Sequence, residues 1–373
     1  LNSGLAPYPF ASSANSVTYD CRPACNSCGL CSSFGCPINA RGDALVSFLN
    51  PAVLSGRVQV IERAQVFRIE TRPDGRRATD VVYYDRAGTV RRVGADKILI
   101  AGSPVQTARL LLLSANGAHP QGLGNGSDQV GRNLMFHYFT LGGAIYERDI
   151  QSLRAQSTTV QVDDLVGPFT GPAVSALGVP YIKGGLIQVG SSLPLLQEAY
   201  LYAGLGMGPG MGHKTAMRAS VARRRLAGVQ LVGEDLPQAG NRVDLDPDVR
   251  DWRGLPAPRV TYGSHAHERA SATYTAPLIE AMLLASPGAV SALVLPDPLL
   301  GNVPSLTAHH AGTARFGSDP ASSVCDRDGR LHECENVHVV DGSLFPTFPG
   351  FNPTLTILAN SLRIARAIGQ GSA

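Results

Sequence analysis

Apolar residues at Leu355, Ile357, Leu358, Leu362 and Ile364 recur at the three-, four- and seven-residue intervals that gather side chains on one helix face. A helix is therefore expected from Asn352 onward, with Pro353 at its first position, where a missing N–H costs nothing. Its free N–H groups and positive dipole end would face an anion or an electron-rich ring. Between residues 58 and 100 the pattern changes to short β-branched and aromatic runs at 58–61, 64–69, 81–84 and 97–100. Pro73-Asp74-Gly75 and Arg86-Ala87-Gly88 supply hairpin turns, which predicts a three-stranded meander returning to a buried strand. That strand ends on Ala101-Gly102, small residues that let the backbone approach a ligand, and Leu110 to Leu113 continue as an apolar run. From about 138 to 300 strands and helices mix with frequent glycine and proline.

With 373 residues, 44% hydrophobic, the chain has room for two domains and a substantial core. A net charge of +3 and a basic run no longer than Arg223-Arg224-Arg225 give no nucleic-acid stripe, and that run reads as a solvated face. No apolar stretch approaches the roughly 20 residues of a membrane span.

Three blocks carry the candidate chemistry. The first is Gly131-Arg132-Asn133-Leu134-Met135-Phe136-His137, and the second is His309-His310-Ala311-Gly312-Thr313. The third runs from the apolar strand before Asp341-Gly342-Ser343 to Asn352-Pro353-Thr354. In this order they resemble the glucose/methanol/choline family of flavin-dependent oxidoreductases, over most of the chain from about residue 20 and most weakly between 150 and 300.

The resemblance implies an α/β (α+β) fold, with a Rossmann-like FAD-binding domain from residues 1–137 and 301–373 and an inserted substrate domain, 138–300, on a mixed or antiparallel sheet. It implies FAD as cofactor, oxidation of a CH–OH group of a small-molecule alcohol, sugar or sterol-like substrate by hydride transfer to flavin N5, and His309 as the base that accepts the hydroxyl proton. Imidazole suits that task because its ordinary pKa lies near working pH. Asn352 matches the second active-site position, where an amide can orient an alkoxide but cannot be the base. His310 departs from the usual proline or aliphatic residue, although neighbours on an extended segment point opposite ways. The resemblance further places Asp341 and Gly342 by the ribityl and pyrophosphate groups, and Asn352, Pro353 and Thr354 at the flavin ring. The backbone of Val66 falls near the adenine, its side chain being read as a core valine, and Ala101 and Gly102 lie close to the cofactor. Asp341 also reads as a helix N-cap.

The family's Gly-x-Gly-x-x-Gly pyrophosphate turn is not in this chain, which opens on Leu1 and reads as a fragment, inactive alone, whose compartment stays open. The glycine-rich stretch from Gly204 to Thr215 is interrupted by Pro209 and His213 and reads as a loop near the substrate region rather than a phosphate loop. One of Glu234 and Asp235, after an apolar strand, is a candidate to face the active cavity, though a surface carboxylate is commoner. His265 and His267 lack a third ligand at metal spacing, so His265-Ala266-His267-Glu268 reads as a solvated helix start.

Cys25, Cys28, Cys31 and Cys36, followed by Pro37, stand one residue away from a ferredoxin-type cluster run, and four thiolates would also suit zinc. Structural thiols or a disulfide are the other reading, since soluble members of the resembling family carry a similar pattern with no cluster implied. Cys325 and Cys334 flank an Asp-Gly turn and are open between a disulfide and free thiols. Two functions follow: a flavin enzyme passing electrons to oxygen, a quinone or a cytochrome, or an iron-sulfur electron-transfer module with a vestigial flavin site.

Overall fold

Glycine and proline turns cut the chain into short elements. The computed structural model describes residues 7–9, 22–28, 35–151, 158, 160–190, 195–296 and 308–371. The elements begin with β1 (Pro7–Pro9), α1 (Asn50–Leu54), β2 (Gln65–Thr71), β3 (Ala78–Tyr84), β4 (Val90–Gly94), β5 (Ile98–Ile100) and α2 (Ser103–Leu113). They continue with β6 (Met135–Phe136), β7 (Tyr138–Tyr146), β8 (Val160–Val162), α3 (Pro172–Ser175), β9 (Gly185–Val189), α4 (Leu195–Gly204), α5 (Met211–Ala219) and α6 (Ala222–Arg225). The last are β10 (Leu226–Gly233), β11 (Arg242–Arg250), β12 (Pro256–Thr261), α7 (Ala266–Leu284), β13 (Ala289–Pro296), β14 (His310–Ala311), β15 (Val337–Val339) and α8 (Thr354–Gly369).

These elements divide into two units. The first comprises Leu1–Val60, Phe139–Gly233 and Arg269–Leu299, and the second Ile61–Tyr138, Glu234–Glu268 and Leu300–Ala373. Segment 234–268 thus groups with the residues on either side of the expected insert, and 1–60 groups with the insert.

The first unit is built on a six-stranded sheet in the order β1-β8-β9-β10-β7-β13. Strands β8 and β9, β9 and β10, and β7 and β13 pair antiparallel. Gly142 lies under α7 because any Cβ there would meet Ile279 and Leu283 at 2.8 Å. The glycine-rich stretch is only partly a loop: Gly204 closes α4, while His213, Lys214 and Thr215 lie inside α5. The arginine run is ion-paired, Arg223 to the buried Glu198 and Arg224 and Arg225 to Asp149.

In the second unit, β2, β3 and β4 form the meander. Its third strand is β4, whose five residues are all exposed, and residues 58–61 form no strand. Val58, Val60 and Ile61 stay on the surface because no ladder takes them up. Val66 is likewise 43% exposed, a correction to its reading as a core side chain.

Strand β5 pairs in parallel with β15, so Ile98 to Ile100 lie beside Val337 to Val339. Ile98 and Ile100 are buried against Ala108 and Leu111 of α2 in the unit's main core, while Leu99 remains 45% exposed. Parallel strands are usually covered on both faces, so Leu99 marks an apolar face open to a further layer. A partly buried Arg109–Asp251 ion pair at 2.7 Å and an Arg109 bond to the Pro256 carbonyl tie α2 to the β11–β12 hairpin.

Helix α8 begins at Thr354, with Pro353 as its N-cap, one position outside the expected one. The physical reason holds in either place, since the helix loses no N–H that it needs. Cys325 and Cys334 are both buried as free thiols, packed as small apolar groups rather than bridged.

Candidate active site

The three sequence blocks are braided by backbone hydrogen bonds within the second unit. Gly131 N–H donates to the Thr313 carbonyl at 2.8 Å, and Thr313 N–H donates to the Arg132 carbonyl at 3.1 Å. On its other side the same segment donates from Gly312 to Gly342, from Ala314 to Ser343 and from Phe316 to Leu344, each within 3.1 Å. Residues 312–316 therefore run as a central thread between the first block and the third. Gly131 and Gly312 permit it, with φ of +87° and +81° and no room for a Cβ.

The short ladder of β6 and β14 sets the two histidines on opposite sides. His310 pairs with Phe136 and lies edge-on to its ring at 6.0 Å. His309 instead meets His137, with Nδ1 to Nδ1 at 3.1 Å and the rings nearly perpendicular. His137 also places Nε2 2.9 Å from the Pro349 carbonyl, three residues before Asn352, and stacks flat on Phe348 at 3.7 Å. The third block is thus joined to the first through His137, a residue named in its sequence run but not as a site.

Burial holds these imidazoles neutral. It is the largest influence on His137, whose pKa falls to about 3, with the neighbouring His309 adding to it against the Pro349 carbonyl. Burial also lowers His309, helped by the charge of His310, and it lowers His310 and His338.

Asp235 is fully buried and faces the protein interior, which corrects its reading as a candidate cavity group. Its Oδ2 accepts from Phe136 N–H and from the Tyr262 hydroxyl at 2.9 Å, while its own N–H donates to the Phe348 carbonyl at 3.2 Å. One residue therefore holds the backbone on both sides of His137's contacts. Burial, reinforced by the charge of Glu268, pushes the Asp235 carboxyl well up, and burial raises Glu268 as well. Glu268 accepts from Leu236 N–H at 3.1 Å and from His265 N–H, and His265 Nδ1 accepts from His267 N–H, so the helix start carries a reciprocal cap in which His265 and Ala266 are exposed but His267 and Glu268 are buried. Glu234 is half-buried.

These shifts have opposite signs. A histidine with a lowered folded pKa adds stability above its free value near 6.5 that is lost as pH falls, whereas a raised carboxyl loses its contribution as pH rises. Histidines 137, 309, 310 and 338 outnumber the two raised acids. The unfolding midpoint should therefore drop by several degrees between about pH 7 and pH 5. A midpoint constant across that range in a thermal melt would contradict the assignment.

Asp341 spends its carboxylate on the protein. Oδ2 accepts from Ser103 N–H at 2.8 Å and the Thr107 hydroxyl at 2.7 Å, and Oδ1 from Ser343 N–H at 2.8 Å. It caps the turn Gly342–Leu344 and anchors the start of α2, leaving its backbone and that of Gly342 as the parts able to approach a cofactor. Gly342 is buried, and a Cβ there would lie 3.1 Å from the His310 carbonyl. Ala101 and Gly102 are exposed at the β5–α2 junction.

At α8 the N-cap residue, Pro353, makes no side-chain cap bond, and Thr354, Leu355 and Thr356 are exposed, Leu355 at 79%. A positive helix end bordered by apolar surface fits the electron-rich edge of a flavin ring. Of the cysteine run, Cys25 and Cys36 are half-buried and Cys28 is exposed, all free thiols, and Cys31 lies outside the described residues, as does Cys21. Among the described residues no three His, Cys, Asp or Glu side chains cluster as a metal site.

Residues 12–139 and 237–361 match the N-terminal and C-terminal family models of the GMC oxidoreductases, which between them contain all three braided blocks. The chain belongs to the GMC oxidoreductases.

Among curated GMC relatives it is 30% identical to paromamine 6'-oxidase of Streptomyces fradiae, over 98% of this chain and 62% of that protein. It is 29% identical to the fructose dehydrogenase large subunit of Gluconobacter japonicus, over 98% of this chain and 63% of that one. The chain therefore spans under two thirds of the length of these relatives. Among solved structures, formate oxidase of Aspergillus oryzae superposes with a TM-score of 0.60 at 15% identity, over 89% of this chain and 63% of that one. That likeness bears on the fold alone. The GMC fold is α/β with a Rossmann-like FAD-binding domain, and the family consists of FAD flavoproteins.

Proposed function

We propose that this GMC oxidoreductase oxidises a CH–OH group of an alcohol or sugar, with His309 as the base and Asn352 as the group that orients the developing alkoxide. The observation that carries this reading is the braid, which brings His309, the turn after Asp341 and the segment leading into Asn352 together around His137. Several matched relatives are named as oxidases or dehydrogenases, among them 2-methyl-1,2-propanediol dehydrogenase of Mycolicibacterium austroafricanum. Both family matches favour flavin chemistry over the iron-sulfur reading of Cys25, Cys28, Cys31 and Cys36.

The second unit is assigned the cofactor, and the sheet of the first the substrate. FAD, when bound, supplies the hydride acceptor. The start of α8, at Asn352, Pro353 and Thr354, would stabilise negative charge at the edge of the ring. The backbones of Asp341, Gly342, Ala101 and Gly102 would line the phosphate and ribityl portion, and that of Val66 the adenine. His309 takes the hydroxyl proton as the alcohol loses hydride, which limits the charge that develops on the substrate oxygen.

The test is to record the absorbance of the purified protein and to screen alcohols and sugars with an artificial electron acceptor. Flavin bands near about 370 and 450 nm together with substrate-dependent bleaching support the reading. A broad brown absorbance lost on acid treatment, with no flavin released, supports the iron-sulfur alternative instead.

Asn352 offers a narrower check. Asn352→Asp places negative charge where the alkoxide and reduced ring develop it and should cost about 100-fold in turnover. Asn352→His keeps a hydrogen-bond donor and should retain a measurable fraction. Equal activities of the two variants would remove Asn352 from the site.

A further inference from the structure

We propose that His137 is a positioning residue that fixes the proton of His309 on Nδ1 and so presents Nε2 of His309 as the base. The proposal rests on the assignment of His309 made above.

Hydrogen-bond complementarity leads to it step by step. A carbonyl oxygen only accepts, so the 2.9 Å contact from His137 Nε2 to Pro349 O requires the proton of His137 to sit on Nε2. The second lone pair of that carbonyl takes Phe351 N–H at 2.7 Å, so both of its acceptor positions are used. His137 is fully buried, and burial keeps it neutral, with the pKa lowered to about 3. A neutral ring protonated on Nε2 carries a bare lone pair on Nδ1. His309 Nδ1 lies 3.1 Å from that lone pair and must therefore carry hydrogen, which leaves Nε2 as the basic nitrogen of a neutral His309.

The same contact serves both protonation states of His309. When Nε2 gains the hydroxyl proton, Nδ1–H continues to donate to His137, now as a charge-assisted bond, and no proton moves between the rings. The geometry is held from two directions: Phe348 stacks flat on the His137 ring, and Asp235 bonds both Phe136 and Phe348. A histidine in this relation does for a base what a carboxylate or carbonyl orienter does elsewhere, without adding charge to a buried site.

Nitrogen NMR of the protein carrying 15N-labelled histidine tests the proposal independently of catalysis. The wild-type His309 signals should show a protonated Nδ1 and a bare Nε2 at about pH 7.5. In His137→Phe the preference should relax toward a mixture, with turnover down about tenfold to 100-fold at unchanged flavin content. His137→Asn, which returns an acceptor near Nδ1, should recover part of both. A wild-type His309 protonated on Nε2 overturns the proposal even if no variant folds, and so does an unchanged tautomer in His137→Phe. If His309 shows the expected tautomer while His309→Ala remains fully active, the positioning role stands and the base assignment fails.

Discussion

Replacing His309 with alanine is expected to lower turnover of the flavin-loaded enzyme by about 100-fold to 10,000-fold while leaving the flavin in place. Alanine removes the proposed proton acceptor without disturbing the braid, because the bonds that tie residues 312–316 to the first and third blocks run through backbone groups. The His309 ring is half-buried, so its loss leaves a small space beside His137 and not a gap in the main core. His310→Ala serves as the control. That ring packs edge-on against Phe136 on the other side of the strand, so its removal should affect stability more than chemistry. A near-normal rate for His309→Ala with a crippled His310→Ala would reverse the assignment of the two histidines.

Gly312→Ala should be the most damaging small substitution in the second unit. A Cβ at that position would sit 2.0 Å from the Asn133 carbonyl, and φ is +81°, where an L-residue is strained by about 1–2 kcal/mol before any clash. Backbone on backbone cannot rotate away, so the first block would have to shift, adding roughly 1–3 kcal/mol. The combined loss is on the order of 4 kcal/mol, about a thousandfold in the ratio of folded to unfolded protein. Denaturant titration measures it directly, and a loss under about 1 kcal/mol would mean that the thread is not held as described. Flavin content should fall with stability, since the same segment holds the Gly342 turn.

Legibility in the sequence followed burial. Strand β5 was visible because an apolar run ending in small residues has few other uses, and the hairpins were visible because glycine at Gly75 and Gly88 takes positive φ. Strand β4, Val-Arg-Arg-Val-Gly, is exposed throughout and so shows no alternation, while 58–61 alternates yet finds no partner strand. At the proposed site, His309, Asp341 and Asn352 are legible only through the resemblance of their blocks to the family. Asp235 stands out beside Glu234, but its buried structural role does not, because it looks like any loop aspartate until Phe136, Tyr262 and Glu268 are placed around it. His137 stood in plain view at the end of its run, but its role depends on Pro349, 212 residues away.

The carbonyl of Pro349 has a consequence for traffic through the site. An amide oxygen with both lone pairs engaged is no station for a migrating proton, so the chain from His309 through His137 is a cul-de-sac. If His309 is the base as proposed, a proton taken from substrate would leave by the nitrogen through which it arrived, after the product has moved aside. On that reading flavin reoxidation and deprotonation of His309 would share one doorway, and an electron acceptor that itself consumes protons could collect its proton from His309 on the way out.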